Sequence, residues 1–226
     1  MAFCGRREKL GHKVEACIRS RGGEATYIPA DVRDESQVKG FVDQTVHKSG
    51  RLDVAFNNAG ITLEKPLHEY TSAEWDDVLA TNLRGVFPAM KYEIPYMLAN
   101  GGGNIVVTSS SNALATTEKK SAYAASKRGP VGLCSRLLWT MCEKRIRVNA
   151  LTPGTAHLRR VAHMEDIPDS VWEAAASANA KLHIPMGPMA TPQEVAAFAL
   201  ALASDDFPYV TGAQMVLDGG TTAHAG

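Results

Sequence analysis

Short apolar runs rich in β-branched residues alternate with longer amphipathic segments along most of this chain of 226 residues. This alternation is typical of a parallel sheet with helices on both faces, and the length suits one α/β domain spanning residues 1–226. Strands are predicted at 2–5, 25–29, 52–56, 104–108, 146–150 and 214–217, and helices at 7–20, 36–47, 72–98, 121–142 and 192–203. We expect the third helical run, 72–98, to bend or break near Asn82 and Pro88.

The segment 155–190 interrupts this rhythm, with Pro168, Pro185 and Pro188 around a short helical patch. It is too long for an ordinary connection between a strand and a helix. We therefore interpret it as a substrate lid.

Composition excludes several classes of function. Lysine plus arginine and aspartate plus glutamate number 24 each, so no charge surplus points to a nucleic acid or an anionic membrane surface. No apolar run approaches the ~20 residues that would span a bilayer. The four cysteines form no CxxC pair and the seven histidines no metal-like cluster, so we predict no metal site and a cytoplasmic protein with reduced thiols.

A parallel open sheet binds its ligand at the carboxyl ends of its strands. The segments that follow predicted strands begin at Asp31, Asn57, Ser109 and Thr152, and each is rich in small or polar residues. Such residues allow close approach of a ligand, so we expect the site at this edge.

Tyr123 and Lys127 are four residues apart in a predicted helix, and both side chains therefore project from one face. An ammonium beside a phenol favours the phenolate and would lower its pKa from about 10. Ser110, after an apolar β-type run, could place a hydroxyl beside that phenol. Taken alone, Tyr123 and Lys127 could be a solvated surface pair. Ser110 taken alone could belong to a turn that ends the strand.

These residues, in this order, resemble the short-chain dehydrogenase/reductase family. The motifs are Asn57-Asn58-Ala59-Gly60, Asn82-Leu83-Arg84-Gly85, Ser110, Tyr123 with Lys127, Arg147-Val148-Asn149-Ala150, Pro153-Gly154 and Leu217-Asp218-Gly219-Gly220. The resemblance implies a Rossmann-type doubly wound parallel sheet and hydride transfer between a nicotinamide cofactor and an alcohol or ketone.

The resemblance also assigns roles to particular residues. Tyr123 would be the general acid/base, Lys127 would lower its pKa and hold the nicotinamide ribose, Ser110 would orient the substrate oxygen, and Asn82 would anchor a water next to Lys127. The implied cofactor contacts are Arg6, Asp31, Val32, Asn58, Ala59, Gly60, Tyr123, Lys127, Pro153 and Gly154. The two long helices would pair subunits into a homodimer or homotetramer.

The chain departs from the family at its start, where the glycine-rich turn TGxxxGxG after a first strand does not occur. Aligned by motif, Met1 falls within the family's second strand, so the fold is N-terminally truncated relative to the family. Removing a central strand would leave two strand edges facing a gap. An incomplete gene model would explain this, and so would a non-catalytic scaffold that acts through subunit association; made alone, residues 1–226 should fold poorly and bind little nicotinamide.

The cofactor preference is predicted from residues after the first strand of this chain. NAD enzymes commonly carry an acidic residue there, whereas this chain has Gly5 followed by Arg6 and Arg7. A guanidinium suits the 2′-phosphate of NADP, so we expect NADP to be preferred over NAD. The simpler interpretation is that both arginines only solvate a helix start. Leu158 is a second departure from the family, which often has threonine at this position. The substrate is predicted only as an alcohol or carbonyl compound.

Overall fold

The computed structural model describes residues 1–156 and 169–223, and its six strands pair only in parallel ladders. The strands are β1 (Ala2–Gly5), β2 (Thr26–Pro29), β3 (Val54–Asn57), β4 (Gly103–Thr108), β5 (Ile146–Pro153) and β6 (Gln214–Leu217). The helices are α1 (Glu8–Ser20), α2 (Glu35–Ser49), α3 (Ser72–Leu79), α4 (Val86–Ala99), α5 (Ser121–Met141), α6 (Asp169–His183) and α7 (Pro192–Ala203). The predicted elements are confirmed, with ends shifted by a few residues.

Local sequence explains where several helices begin. Thr71 before α3 and Thr191 before α7 each form a capping box with a glutamate three residues on. The Asp34 carboxylate accepts hydrogen bonds from the N–H groups of Ser36 and Gln37 at the start of α2. These side chains satisfy N–H groups that have no partner within the helix.

The predicted break near Asn82 is confirmed, because Ala80–Arg84 forms a π-helical turn between α3 and α4. The second predicted break, at Pro88, is wrong. Pro88 lies in the first turn of α4, where proline is tolerated because few N–H groups have intrahelical partners, and the helix continues to Ala99.

Two hydrophobic clusters cover opposite faces of the larger sheet. Ile105 and Val107 of β4 pack in one cluster with Met90 and Met97 of α4. The intervening Val106 points the other way, into a cluster with residues of α7. This alternation along one strand places helices on both faces and confirms the predicted layering.

The strands form two separate ladders, β2-β1 and β3-β4-β5-β6. The free edges of β1 and β3 both line a cleft of about 1280 Å³, which we call the β1–β3 cleft. Val54 and Phe56 of β3 are 43% and 46% exposed, whereas Ala55 between them is buried. The gap predicted from the sequence is therefore present, with unpaired backbone and apolar side chains along it.

None of the helices in the described part of the chain is both long and apolar enough to span a membrane.

Candidate active site

The carboxyl end of β4 brings two segments of the chain together. Ser109, directly after this strand, is buried, and its Oγ donates a hydrogen bond of 2.8 Å to the backbone carbonyl of Lys127. This bond ties α5 to the end of the sheet. Tyr123 and Lys127, one helical turn apart on α5, consequently face the end of β4.

Ser110 and Tyr123 meet at this edge, as the sequence predicted. Ser110 is 6% exposed, and its hydroxyl lies close enough to lower the pKa of the Tyr123 phenol by hydrogen bonding. Burial acts more strongly in the opposite direction, and the pKa of Tyr123 is raised overall. The lowering expected from Lys127 is thus not the net result, because desolvation of the phenolate dominates.

Lys127 is 3% exposed, and its ammonium approaches both the phenol and the strand end. Nζ lies 5.9 Å from the centroid of the Tyr123 ring and donates a hydrogen bond of 2.8 Å to the carbonyl of Thr108. Burial lowers the pKa of Lys127 from 10.5 to about 8. The ammonium therefore remains the main form at neutral pH.

Asn82 lies in the π-helical turn and is 1% exposed. Its Oδ1 accepts a 2.8 Å hydrogen bond from Ile61 N–H, while Nδ2 donates to the Ile61 carbonyl at 2.8 Å and to Ser126 Oγ at 2.9 Å. A π-turn directs this amide toward the loop after β3 and toward α5. Asn82 thus links the loop, the helix break and α5.

We expect Asn82→Ala to lower the free energy of unfolding by roughly 3 kcal/mol, since three hydrogen bonds of about 1 kcal/mol each are lost. Asn100→Ala is the matched control, because Asn100 is exposed and its amide makes one 3.3 Å bond to the Leu52 carbonyl. Urea denaturation of both variants measures the difference. Equal losses would show that the Asn82 network does not stabilise this region.

The turn after β3 comes close to Lys127. Asn58 Oδ1 accepts a 2.8 Å hydrogen bond from Thr108 Oγ1, which joins the ends of β3 and β4. A Cβ on Gly60 would lie 3.2 Å from Lys127 Nζ and 3.3 Å from Asn82 Oδ1. Glycine at this position keeps the backbone next to the ammonium, and Ala59 lines the β1–β3 cleft beside it.

Asp31 and Val32 follow β2 at the same edge. The Asp31 carboxylate accepts hydrogen bonds from the guanidinium of Arg33, which also pairs with Asp77. The pKa of Asp31 is lowered, first by the hydrogen bond from Arg33 and with a smaller contribution from the charge of Arg6. Arg6 thus lies after β1 and near Asp31, and Val32 contacts the position of Gly85 at the start of α4.

Pro153 and Gly154 lie at the end of β5, which runs three residues further than predicted. Gly154 N–H donates a 2.8 Å hydrogen bond to the Leu217 carbonyl, and a Cβ on Gly154 would lie 2.8 Å from Asp218 Cα. Pairing with β6 explains the extra length. These residues belong to the same sheet edge as Ser110.

Two predictions about the remaining chain have different outcomes. Residues 157–168 of the proposed lid, including Leu158, lie outside the described residues, while α6 and the bridge between Ala156 and Ala190 belong to it. On the two long helices that were predicted to pair subunits, Met90 and Leu137 pack in the core, whereas Trp139 is 73% exposed. Packing inside the subunit therefore explains some of the apolar residues on these two helices.

Glu93 is 5% exposed on α4 and was not among the predicted site residues. Its Oε2 accepts a 3.0 Å hydrogen bond from Asn57 Nδ2, at the end of β3. Burial raises the pKa of Glu93 to about 7, and the bond from Asn57 opposes this. A signal was available, because Glu93 interrupts the buried stripe of Val86, Met90 and Met97 on one face of α4.

Within the described residues, no three histidine, cysteine, aspartate or glutamate side chains are grouped so that they could hold a metal ion.

Comparison with known proteins identifies the family. A family profile described as enoyl-(acyl carrier protein) reductase matches residues 1–222. The chain is 38% identical over 220 residues to the uncharacterized oxidoreductase YxbG of Bacillus subtilis, covering 96% of this chain and 80% of that protein. The structure of a short-chain type dehydrogenase/reductase from Mycobacterium marinum superposes with a TM-score of 0.87 at 30% identity, covering 99% and 85% of the two chains. This chain belongs to the short-chain dehydrogenase/reductase family.

Two further relatives of this short-chain dehydrogenase/reductase carry more specific names. A cyclohexanol dehydrogenase of an Acinetobacter strain is 37% identical over 216 residues, covering 95% of this chain and 82% of that protein. A gluconate 5-dehydrogenase from Burkholderia cenocepacia, in complex with NADP and tartrate, superposes with a TM-score of 0.88 at 26% identity, covering 99% and 86%. Family membership confirms the Rossmann-type fold and an NAD(P)-dependent oxidoreductase; substrate, cofactor preference and residue roles go beyond it.

Proposed function

We propose that this enzyme reduces a ketone to an alcohol with NADPH, using Tyr123 as the proton donor. The observation that carries the proposal is the convergence of Ser110, Tyr123 and Lys127 beside Gly60 at the carboxyl ends of the strands. The test is NADPH oxidation by the full gene product with cyclohexanone as substrate. A protein that binds NADPH and consumes none with any ketone tried would instead support the scaffold alternative.

In the proposed reaction, residues of the protein bind the carbonyl oxygen of the substrate and transfer one proton to it. Ser110 and Tyr123 hydrogen-bond the carbonyl oxygen, and the phenol gives its proton to that oxygen as the alkoxide forms. A bound NADPH would supply the hydride that the carbonyl carbon accepts. Burial raises the pKa of the Tyr123 phenol, which favours the protonated form that can act as an acid. Lys127 then stabilises the phenolate that remains.

The described residues fit both ends of a dinucleotide. Gly60 keeps its backbone next to the Lys127 ammonium, which would hold the nicotinamide ribose, with Asn58 and Ala59 along the same turn and Pro153 and Gly154 at the far strand end. Asp31 and Val32 would contact the adenine. The sequence offers no glycine-rich turn between a strand and a helix for the pyrophosphate, so the contacts assigned to this chain are those at the two ends.

Arg6 supports a preference for NADP, because it is exposed after β1 and its charge acts on the edge that contains Asp31. We expect Arg6→Ala to lower kcat/KM for NADPH about tenfold, as one charge-assisted contact of roughly 1.5 kcal/mol is lost, and to leave kcat/KM for NADH nearly unchanged. Lys13→Ala on the exposed side of α1 is the control. A parallel loss with both cofactors would mean that Arg6 does not contact a 2′-phosphate.

A relative's substrate and one exposed side chain guide the proposals about substrate and assembly. The similarity to a cyclohexanol dehydrogenase makes small cyclic alcohols and ketones the first compounds to assay. We propose that the segment 155–190 closes over them, and that exposed Trp139 on α5 contributes to a homodimer or homotetramer interface. Light scattering of wild type and Trp139→Ser tests the assembly; an unchanged mass would exclude this residue.

A further inference from the structure

A short 3₁₀ turn, Ser111–Ala113, follows Ser110 at the end of β4. Arg128 Nε on α5 donates a 2.8 Å hydrogen bond to the carbonyl of Ala113, which fixes the turn against α5. The first and last residues of the turn are buried, whereas Asn112 between them is only partly buried. The turn therefore holds Asn112 next to the candidate site.

Asn112 places two hydrogen-bond donors against the Ser110 hydroxyl. Its backbone N–H donates to Ser110 Oγ at 3.2 Å, and its side-chain Nδ2 lies 3.5 Å from the same atom. The backbone bond would form with any residue that has an N–H, so the side-chain amide is what asparagine adds. A hydroxyl has two lone pairs and one proton. Both lone pairs of Ser110 Oγ therefore have a donor, and its proton points away from Asn112.

Thr117 determines which end of the Asn112 amide faces Ser110. Asn112 Oδ1 accepts hydrogen bonds from the backbone N–H and from Oγ1 of Thr117, each at 3.4 Å. The oxygen and nitrogen of an amide are told apart by their partners, and a backbone N–H can only donate. The end that faces Thr117 is therefore the oxygen, and the NH2 group faces Ser110.

The proton of Ser110 is consequently available to the active site. Ser110 lowers the pKa of Tyr123 by hydrogen bonding, which is the effect of a hydroxyl that donates to the phenol oxygen. Donors that bond to Ser110 Oγ polarise its O–H bond, and this strengthens the hydrogen bond that the hydroxyl donates. An acceptor in place of Asn112 Nδ2 would compete for the same proton.

We propose that Asn112 is a positioning residue, whose amide directs the hydroxyl proton of Ser110 toward Tyr123 and toward the carbonyl oxygen of the substrate. The part that concerns the substrate rests on the proposed reductase function. The part that concerns Tyr123 rests on the hydrogen bonds around Ser110 alone. Asn112 needs no contact with substrate or cofactor in this role.

Two substitutions of Asn112 change the group that faces Ser110. Asn112→Ala removes Nδ2 and keeps the backbone N–H, so we expect kcat for ketone reduction to fall about fivefold, as for one neutral hydrogen bond. Asn112→Asp has nearly the same shape, but its carboxylate accepts the Ser110 proton and turns it away from the site. We expect this variant to lose about 10²-fold in kcat, as Ser110→Ala does, because both lack a donor to the developing oxyanion.

The double variant Ser110→Ala/Asn112→Ala separates positioning from a general structural effect. Once the Ser110 hydroxyl is absent, Asn112→Ala should cost almost nothing further in kcat. Asn100→Ala and Asn100→Asp are the matched controls, because Asn100 is exposed at the end of α4, and both should retain wild-type kcat. Equal losses from Asn112→Ala with and without the Ser110 hydroxyl would overturn the proposal.

A titration that needs no turnover tests the same arrangement in the full gene product. Every tyrosine is replaced by difluorotyrosine, whose phenol titrates at lower pH, and Tyr123→Phe identifies the fluorine signal of Tyr123. The pKa read from this signal should be higher in Asn112→Ala than in wild type, because the hydrogen bond that stabilises the phenolate is weaker. This difference should vanish in the Ser110→Ala background. Lys127, whose Nζ lies 5.9 Å from the centroid of the Tyr123 ring, is unchanged in every variant.

The two measurements distinguish the possible outcomes. A wild-type pKa of Tyr123 in Asn112→Ala would overturn the proposal. So would a raised KM for the ketone with unchanged kcat, which would place Asn112 in substrate binding instead. If wild type consumed no NADPH with any ketone, the reductase proposal would fail, and the fluorine titration would still decide whether Asn112 orients Ser110.

Discussion

Replacing Tyr123 by phenylalanine should lower kcat for ketone reduction by about 10²–10⁴-fold, the range that positioned proton transfer contributes. The phenylalanine ring fills the same space on α5, next to Ser110 and the Lys127 ammonium, and lacks only the hydroxyl that delivers the proton. We expect the dissociation constant for NADPH to be nearly unchanged. Pre-steady-state NADPH oxidation and fluorescence titration of NADPH, both on the full gene product, measure the two quantities.

Tyr209→Phe is the matched control, because Tyr209 is fully exposed and the same atom is removed from it. This variant should retain wild-type turnover. If Tyr123→Phe kept more than about a third of wild-type kcat, another group would be the acid and the proposed mechanism would be wrong. If it lost NADPH affinity by the same factor as kcat, Tyr123 would act in binding rather than in proton transfer.

The sequence predicted where the candidate site residues lie, because their positions follow from strand ends and helical spacing. Ser110 is located by the end of β4, and Tyr123 and Lys127 are located by helical spacing on α5, so the site required only the register of a parallel sheet. Asn82 was predicted on the resemblance alone. Its three hydrogen bonds depend on a π-helical turn, which no local residue pattern indicates.

The error about the pKa of Tyr123 originates in burial. The pKa of Tyr123 was predicted from a neighbouring charge, but desolvation, which needs three-dimensional packing, outweighs that effect. The pairing of subunits through the long helices stays a prediction, and within the chain the hydroxyls of Tyr92 and Tyr96 on α4 bond to Glu35 and Asp43. Such partners are about fifty residues away in sequence, and their contacts depend on how α2 and α4 pack.

Titration of Lys127 should make the activity of the enzyme fall above about pH 8. Burial lowers its pKa to about 8, so the ammonium is present below that pH and is lost above it. If the ammonium stabilises the phenolate of Tyr123, kcat/KM for reduction should be flat below pH 8 and fall tenfold per pH unit above it. Lys127→Met should reduce kcat/KM by about a hundredfold or more at neutral pH and remove the step near pH 8.

Because Lys127 is buried, we also expect the free energy of unfolding to depend on pH, independently of catalysis. Between pH 8 and the ordinary value of 10.5, Lys127 is neutral in the folded protein and still protonated in the unfolded chain. The unfolded state then binds more protons, so the free energy of unfolding rises with pH across this window, by roughly 3 kcal/mol in full. Below pH 8 both states carry the charge and this contribution is absent.

Lys127→Met should lack that rise, because it has no group to titrate, and it should be more stable than wild type at pH 7, where wild type carries the buried charge. Urea denaturation at pH 7 and pH 9.5 measures both effects, with Lys48→Met on an exposed surface as the control. A variant that is less stable than wild type at pH 7 would mean that the bond from Nζ to Thr108 outweighs the cost of burying the ammonium. A more stable and less active Lys127→Met would indicate that the charge is retained in the core for its effect on Tyr123, since the fold alone would favour its removal.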